Sequence, residues 1–361
     1  MLILYVVFDA GGIKKYAAAG AFCLLFLFLG RKKKWSMEAV ACTGLPMAVY
    51  LVIGCITALL GAGAQGMTLK IILYVLMPFV LVFAMYTFYG KDMKHLVDVQ
   101  FWGCILAYAL FDAPTFVKIF RWESVFAFSF GIFALYYVYE KNWKRFLTAL
   151  LFMLFAEKRI AVVAILAALA VMGILWLFRY SKKLVLLLWT AISGCVYLYV
   201  YMIYSGALEA FCWGANINTN GRVEMYGRMA QEARFSVGFL GKGLGYVEQL
   251  LEHWNILTYV NLHNDLLKFY VELGFLGLLC YLISYGVSLH LADRTFGSVK
   301  MSFLFVLLVY TMLMFTTDNV SIYMLYLVPF YSIFFAVLEG NRKSAEKIGA
   351  DQKNKKEKSL R

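Results

Sequence analysis

The sequence predicts an all-helical integral membrane protein, with about eleven spans (ten to twelve) and one large extracytoplasmic loop. Three observations lead there. Of 361 residues, 63% are hydrophobic and only 15% charged, against about 45–50% and about 25% in soluble domains. The apolar residues fall in runs long enough to cross lipid. Lys and Arg concentrate in alternate connections between those runs, as the positive-inside bias requires.

The runs are 16–30, 40–60, 69–89, 96–111, 125–139, 146–178, 184–204, 266–285, 301–315 and 321–337. Each is expected to be helical, because hydrocarbon offers no partner to an unpaired backbone group. As one helix, 146–178 would extend ~50 Å, too long for a single crossing. It is therefore expected to cross twice, turning at Glu157, Lys158 and Arg159. The cations agree: clusters at 31–34, 91–94, 141–145, 179–183, 294–300 and beyond 340 hold 22 of the 34 Lys and Arg. A single span over 146–178 would put two of these clusters on opposite sides. The first twelve residues are too short to cross, and they lack the charged start and cleavage site of a signal peptide. The chain then divides into a membrane domain, 1–340, and a disordered basic cytoplasmic tail, 341–361.

One connection differs from the rest. Segment 205–265 lies on the outer side, and connections beyond ~15 residues are usually functional or disordered. It is too apolar for disorder, with Trp213, Met225, Tyr226, Phe235, Tyr246, Leu251 and Trp254, so it is expected to fold as a cap. Within it, 222–235 reads as an amphipathic helix with Glu224/Arg228 and Arg228/Glu232 at i,i+4 spacing.

The net charge of +13 is largely topogenic, since the 31–34 cluster and the tail supply most of it. Segment 205–265 is slightly acidic, with four Lys and Arg against six acids, so no nucleic-acid partner is expected. The seven cysteines show no CxxC or Cys/His spacing and read as packing residues.

The spans carry almost no ionisable groups, which argues against an ion-coupled transporter. The groups able to do chemistry cluster at the outer interface instead. Arg159 stands between two apolar runs, where a cation needs an anion or a carboxylate such as Glu157 to offset its cost. Arg222, Arg228 and Arg234 are either a solvated face paired with glutamates or guanidinium forks for phosphate oxygens. Gly241-Lys242-Gly243-Leu244-Gly245 is either a turn or a nest of backbone N–H groups for an anion. In Asn261-Leu262-His263-Asn264-Asp265, Asn264 or Asp265 can cap the helix that follows. His263, just outside that cap, either hydrogen-bonds it or accepts a proton from a hydroxyl. The other histidines are too scattered to form a metal site with it.

Taken in order, Lys158-Arg159-Ile160-Ala161, Gly221-Arg222, Gly241-Lys242-Gly243-Leu244-Gly245 and His263-Asn264-Asp265-Leu266-Leu267 running into Glu272-Leu273-Gly274 resemble the O-antigen polymerase and O-antigen ligase superfamily of Wzy-type polysaccharide polymerases. The ordered resemblance covers about 158–283. It departs from the family pattern at Lys158, where a Ser often stands, and in the missing or truncated first span.

The resemblance implies glycosyl transfer from an undecaprenyl-pyrophosphate-linked oligosaccharide on the outer face of the bacterial plasma membrane, without a metal or other cofactor. A polymerase uses a lipid-linked repeat unit as acceptor, and a ligase uses a lipid core, a protein or another glycan. Such chemistry passes through an oxocarbenium-like state, and without Mg²⁺ the charge on the leaving pyrophosphate must meet fixed cations. Arg159, Arg222, Arg228 and Lys242 are the candidates for that clamp. His263 is the candidate base, with Asp265 or Glu224 as fallbacks. Polymerase is favoured over ligase because the chain offers no further soluble domain to recognise a protein acceptor. A chain-length regulator and membrane lipid are the other candidate partners. A flippase, the alternative from another class, should show inverted repeats, and none is evident. A non-catalytic assembly factor is the third reading.

Overall fold

The computed structural model describes residues 13–30, 36–60, 65–113, 123–254 and 262–340. The cationic 31–34 cluster, the start of the chain, Asn261 and the tail after 340 lie outside the described residues. All regular structure among the described residues is helical. In order the helices are α1 (Ile13–Gly30), α2 (Met37–Leu60), α3 (Gln65–Tyr89), α4 (Met93–Ala107), α5 (Phe126–Tyr139), α6 (Trp143–Phe155), α7 (Arg159–Leu177), α8 (Lys182–Tyr204), α9 (Ala207–Gly214), α10 (Arg222–Ala230), α11 (Tyr246–Trp254), α12 (Asp265–Phe296), α13 (Ser298–Phe315) and α14 (Met324–Glu339). Six segments are long and apolar enough to cross a membrane: α2, Thr68–Tyr89 of α3, α7, α8, α12 and α13; α5 and α14 are shorter but equally apolar. The protein is a polytopic helical membrane protein.

Every predicted apolar run lies on a helix, and the long one divides at the three charged residues. Ala156 caps α6, Glu157 turns the chain with φ +48°, and Lys158 is extended. No glycine or proline makes this break. A helix continuing through Glu157-Lys158-Arg159 would carry three charges into an apolar stretch, whereas the turn leaves Glu157 and Arg159 exposed.

The core is one cluster built on α1–α8 and α12–α14, with α12 packed along α2, α1 along α3 and α13 along α7. Segment 205–265 has its own small core, in which Val223, Met225, Tyr226, Met229, Val247 and Leu251 close over Leu267 and Val271 of α12. The described part of this segment is therefore folded, and it sits where α7 and α12 begin and α8 and α13 end.

Helix α12 is broken at Gly274, whose φ of +77° and ψ of −179° interrupt the helical backbone. The chain at 239–243 lies in the notch. Phe275 N–H donates to the Phe239 carbonyl (2.9 Å), Lys242 N–H to that of Val271 (2.9 Å) and Gly243 N–H to that of Glu272 (3.0 Å). A Cβ on Gly274 would stand 2.3 Å from the Leu240 carbonyl carbon, and one on Gly241 2.5 Å from the Glu272 carbonyl oxygen. Two backbones cross here too closely for any side chain.

Candidate active site

Helix α7 starts with Arg159 and α10 starts with Arg222, each at the positive end of its helix dipole. Helices normally place acids there; α7 has none in its first turn, whereas α10 has Glu224 beside Arg222. They converge on a turn, 316–319, that follows α13. The Tyr199 hydroxyl donates to the Thr316 carbonyl (2.7 Å), and the Arg222 guanidinium donates to the Thr317 carbonyl (3.0 Å). The Asn264 amide in turn donates to the Tyr199 hydroxyl (2.9 Å), and its side-chain oxygen caps α12 by accepting from Leu267 N–H (3.0 Å).

This turn presents Asp318, which is 1% exposed. Its carboxylate accepts from the Tyr323 hydroxyl (2.7 Å), from Asn319 N–H (2.9 Å) and from Lys158 Nζ (3.2 Å). His263 Nδ1 lies 3.5 Å from Asp318 Oδ1, an electrostatic contact longer than a good hydrogen bond. Burial alone would raise the Asp318 pKa. His263, the Lys158 ammonium and the Tyr323 hydroxyl outweigh it and hold the carboxyl well below the usual carboxylate range. Asp318 is thus ionised, with a histidine beside it. His263 adopts φ +54°, and its carbonyl accepts from the Tyr226 hydroxyl (2.7 Å). A non-glycine residue in that region of backbone space is strained by about 1–3 kcal/mol, a cost found most often at functional positions.

Lys158, Arg159, Arg222, Tyr226, Thr317 and Asp318 line one cavity of about 420 Å³. Lys158 is committed to Asp318, with Glu123 3.7 Å away. Arg159 has no ion pair or side-chain hydrogen bond among the described residues, and Glu157 does not reach it. Two buried polar atoms, Thr317 Oγ1 in the cavity wall and His263 Nδ1, have no hydrogen-bond partner among the described residues. The cavity therefore offers two guanidinium groups and the Thr317 hydroxyl to an incoming anion, while the His263 imidazole, which does not itself line the cavity, stands beside the Asp318 carboxylate that does.

The other predicted site residues lie elsewhere. Asp265 is fully buried and accepts from Ser321 through both its backbone N–H (2.8 Å) and its hydroxyl (2.5 Å), which pins the start of α12 to the segment before α14. Glu224 faces an adjoining cavity. Arg228 stacks over the Trp254 ring at 4.3 Å, and Lys242 lies 5.7 Å from the Tyr246 ring. The glycine-rich segment does hold a carboxylate, but an internal one: Gly245 N–H donates to Glu272 Oε1 (2.9 Å). The N–H groups of Lys242 and Gly243 are committed to carbonyls at the α12 break, and that of Leu244 to the Gly54 carbonyl of α2 (3.5 Å). Asp318 was not among the predicted residues. The polar Thr316-Thr317-Asp318-Asn319 stretch between two apolar runs is the signal that marks it.

Residues 145–282 match the family model described as O-antigen ligase. This agrees with the superfamily resemblance read from the sequence. The O-antigen ligase match takes in Lys158, Arg159, Arg222 and His263, whereas Asp318 lies beyond it. It points to an enzyme of glycosyltransferase type acting on a lipid-linked oligosaccharide in the membrane, with polymerase and ligase activities both within its range. No curated protein matches the chain.

Proposed function

We propose that this protein is a polysaccharide polymerase of the bacterial plasma membrane. It would transfer an undecaprenyl-pyrophosphate-linked glycan onto a lipid-linked repeat unit at the outer face, without a metal. The observation that carries this reading is the convergence of Arg159 and Arg222, each opening a helix, on one cavity bounded by Asp318 and Thr317.

In the reaction, the acceptor hydroxyl attacks the anomeric carbon as the bond from that carbon to the pyrophosphate oxygen breaks. Negative charge grows on the pyrophosphate. Arg159 and Arg222 meet it with fixed donors, and the Thr317 hydroxyl can add a third. Fixed dipoles and cations at developing charge are worth roughly 10²–10³ in rate per donor. His263 receives the hydroxyl proton on Nε2, since its Nδ1 side faces Asp318, and the ionised carboxylate stabilises the imidazolium that results. A single displacement inverts the anomeric centre. Lys158 and Tyr323 set the position and charge of Asp318. Asp265 orients the segment before α14, and Glu224, Arg228 and Lys242 stand outside the reacting centre.

Ligase-type transfer is the second reading, favoured by the description of the matched family. Purified protein in lipid bilayers, given only the lipid-linked repeat unit, decides between them. A polymerase elongates it, and a ligase needs an added acceptor. Arg159→Ala, Arg222→Ala and His263→Ala should each abolish long glycan chains while the protein inserts normally. Full activity in all three would overturn the proposal.

A further inference from the structure

A second cavity, of about 290 Å³, adjoins the first across a shared wall that includes Ile217, Asn218 and Asn220. Its chemistry is different. No Lys or Arg lines it, and its one charged group is Glu224. Trp213, on α9, also lines it and is 69% exposed. Asn216 and Asn218 bring side-chain amides to the same cavity; the Asn218 oxygen already accepts from Asn220 N–H (2.9 Å), which leaves its amide hydrogens for a ligand. A pyrophosphate has no cation to meet here and would face a carboxylate. A pyranose ring fits that set of groups, because it shows an apolar C–H face to one side and hydroxyls around its edge. Trp213 offers the apolar plate, and the amides and carboxylate offer donors and acceptors for hydroxyls.

We infer that this second cavity is a glycan subsite, in which Trp213 stacks against a sugar that carries no carboxylate while Asn216, Asn218 and Glu224 hydrogen-bond its hydroxyls. The identity of the ligand rests on the glycosyl transfer proposed above, with the phosphates in the cationic cavity and the sugar beyond the wall.

The test uses the full chain in lipid nanodiscs and, as probe, the free repeat-unit oligosaccharide released by mild acid from the lipid carrier of the native cells, with no pyrophosphate attached. Saturation-transfer NMR and titration calorimetry should detect binding to the parent protein. Trp213→Ala should weaken it at least tenfold, and Trp213→Phe, which keeps an aromatic face, less than threefold. Asn218→Ala should weaken it severalfold, and it decides the matter if Trp213→Ala fails to fold. Arg159→Ala should bind the free oligosaccharide as the parent does while losing transfer. The subsite and the transfer reaction thus fail separately: binding without transfer in Arg159→Ala leaves the subsite standing. No binding to the parent, or equal binding by Trp213→Ala and Asn218→Ala, overturns the inference. So does a carboxylate-bearing oligosaccharide that binds the parent as well as it binds Glu224→Gln.

Discussion

Two charged clusters stand near the start of α12, and their difference separates structural from chemical roles. In one, Lys268 is 2% exposed and pairs with Glu248, while Glu272, fully buried, accepts from Gly245 N–H and from the Tyr50 hydroxyl (3.2 Å). Burial alone would raise the Glu248 pKa, yet the Lys268 ammonium holds it below its ordinary value. Each charged group there has a protein partner, and none lines either cavity. In the other cluster, Lys158 and Asp318 are paired, but Arg159 and Arg222 face open space with donors to offer. Burial of charge is common to both. An open set of donors is what distinguishes the second.

The largest expected effect lies in the closed cluster. Lys268→Met leaves Glu248 and Glu272 buried without a cation, and breaking such a pair costs about 3–5 kcal/mol. Loss of the folded monomer on heating in detergent would show it. Lys268→Met combined with Glu248→Met should recover much of that loss, because replacing a whole buried pair by apolar groups is often nearly neutral. A double variant as unstable as the single would show that Lys268 acts chiefly through Glu272.

The open cluster should respond in the opposite way. Arg159→Ala and Arg222→Ala should each lower transfer by about 100-fold or more, with a melting temperature near that of the parent. Should either variant unfold instead, the two clusters would not differ in kind.

Acid should separate them further. The carboxyl of Asp318 is held below its ordinary range, so its contribution to stability is complete above about pH 4 and is lost as pH falls towards its folded value. Asp318→Asn removes that dependence, and its stability measured between about pH 5 and 3 should fall less steeply than that of the parent.

The smallest effect is expected at Arg228. Its stacking on Trp254 is worth about 0.5–1 kcal/mol at an exposed site. Arg228→Ala should cost that much stability and change transfer by no more than about threefold. A larger loss of transfer would bring Arg228 back into the phosphate clamp.

Most of the helical framework was legible because lipid allows few alternatives. Runs became helices, and the charge triplet at 157–159 divided the long one. Arg159, Arg222 and His263 were legible as ionisable groups near helix starts bordering apolar segments. Asp318 was not: it follows Arg159 by more than a hundred positions, and no periodicity links them. Arg228 illustrates another limit. Its i,i+4 spacing suggested glutamate partners, whereas the fold supplied Trp254 from α11, a contact that local spacing cannot encode. The glycines at 241–245 were legible as backbone freedom, but the Gly274 notch that uses two of them is a tertiary fact.

That notch also fixes where the molecule can be recombined. A chimera that exchanges only 205–265 with a related chain would part Gly241 and Gly243 from the broken stretch of α12 that receives them. Crossovers at about 204 and 276 would carry loop and receptor together, and the rest of the chain would have to match what this unit touches: Tyr50, Gly54, Thr57 and Ala58 of α2, Tyr197 and Tyr199 of α8, and the 317–321 segment that meets Arg222, His263 and Asp265. The exchangeable unit therefore ends inside a helix, about eleven residues past the boundary that helix limits would suggest.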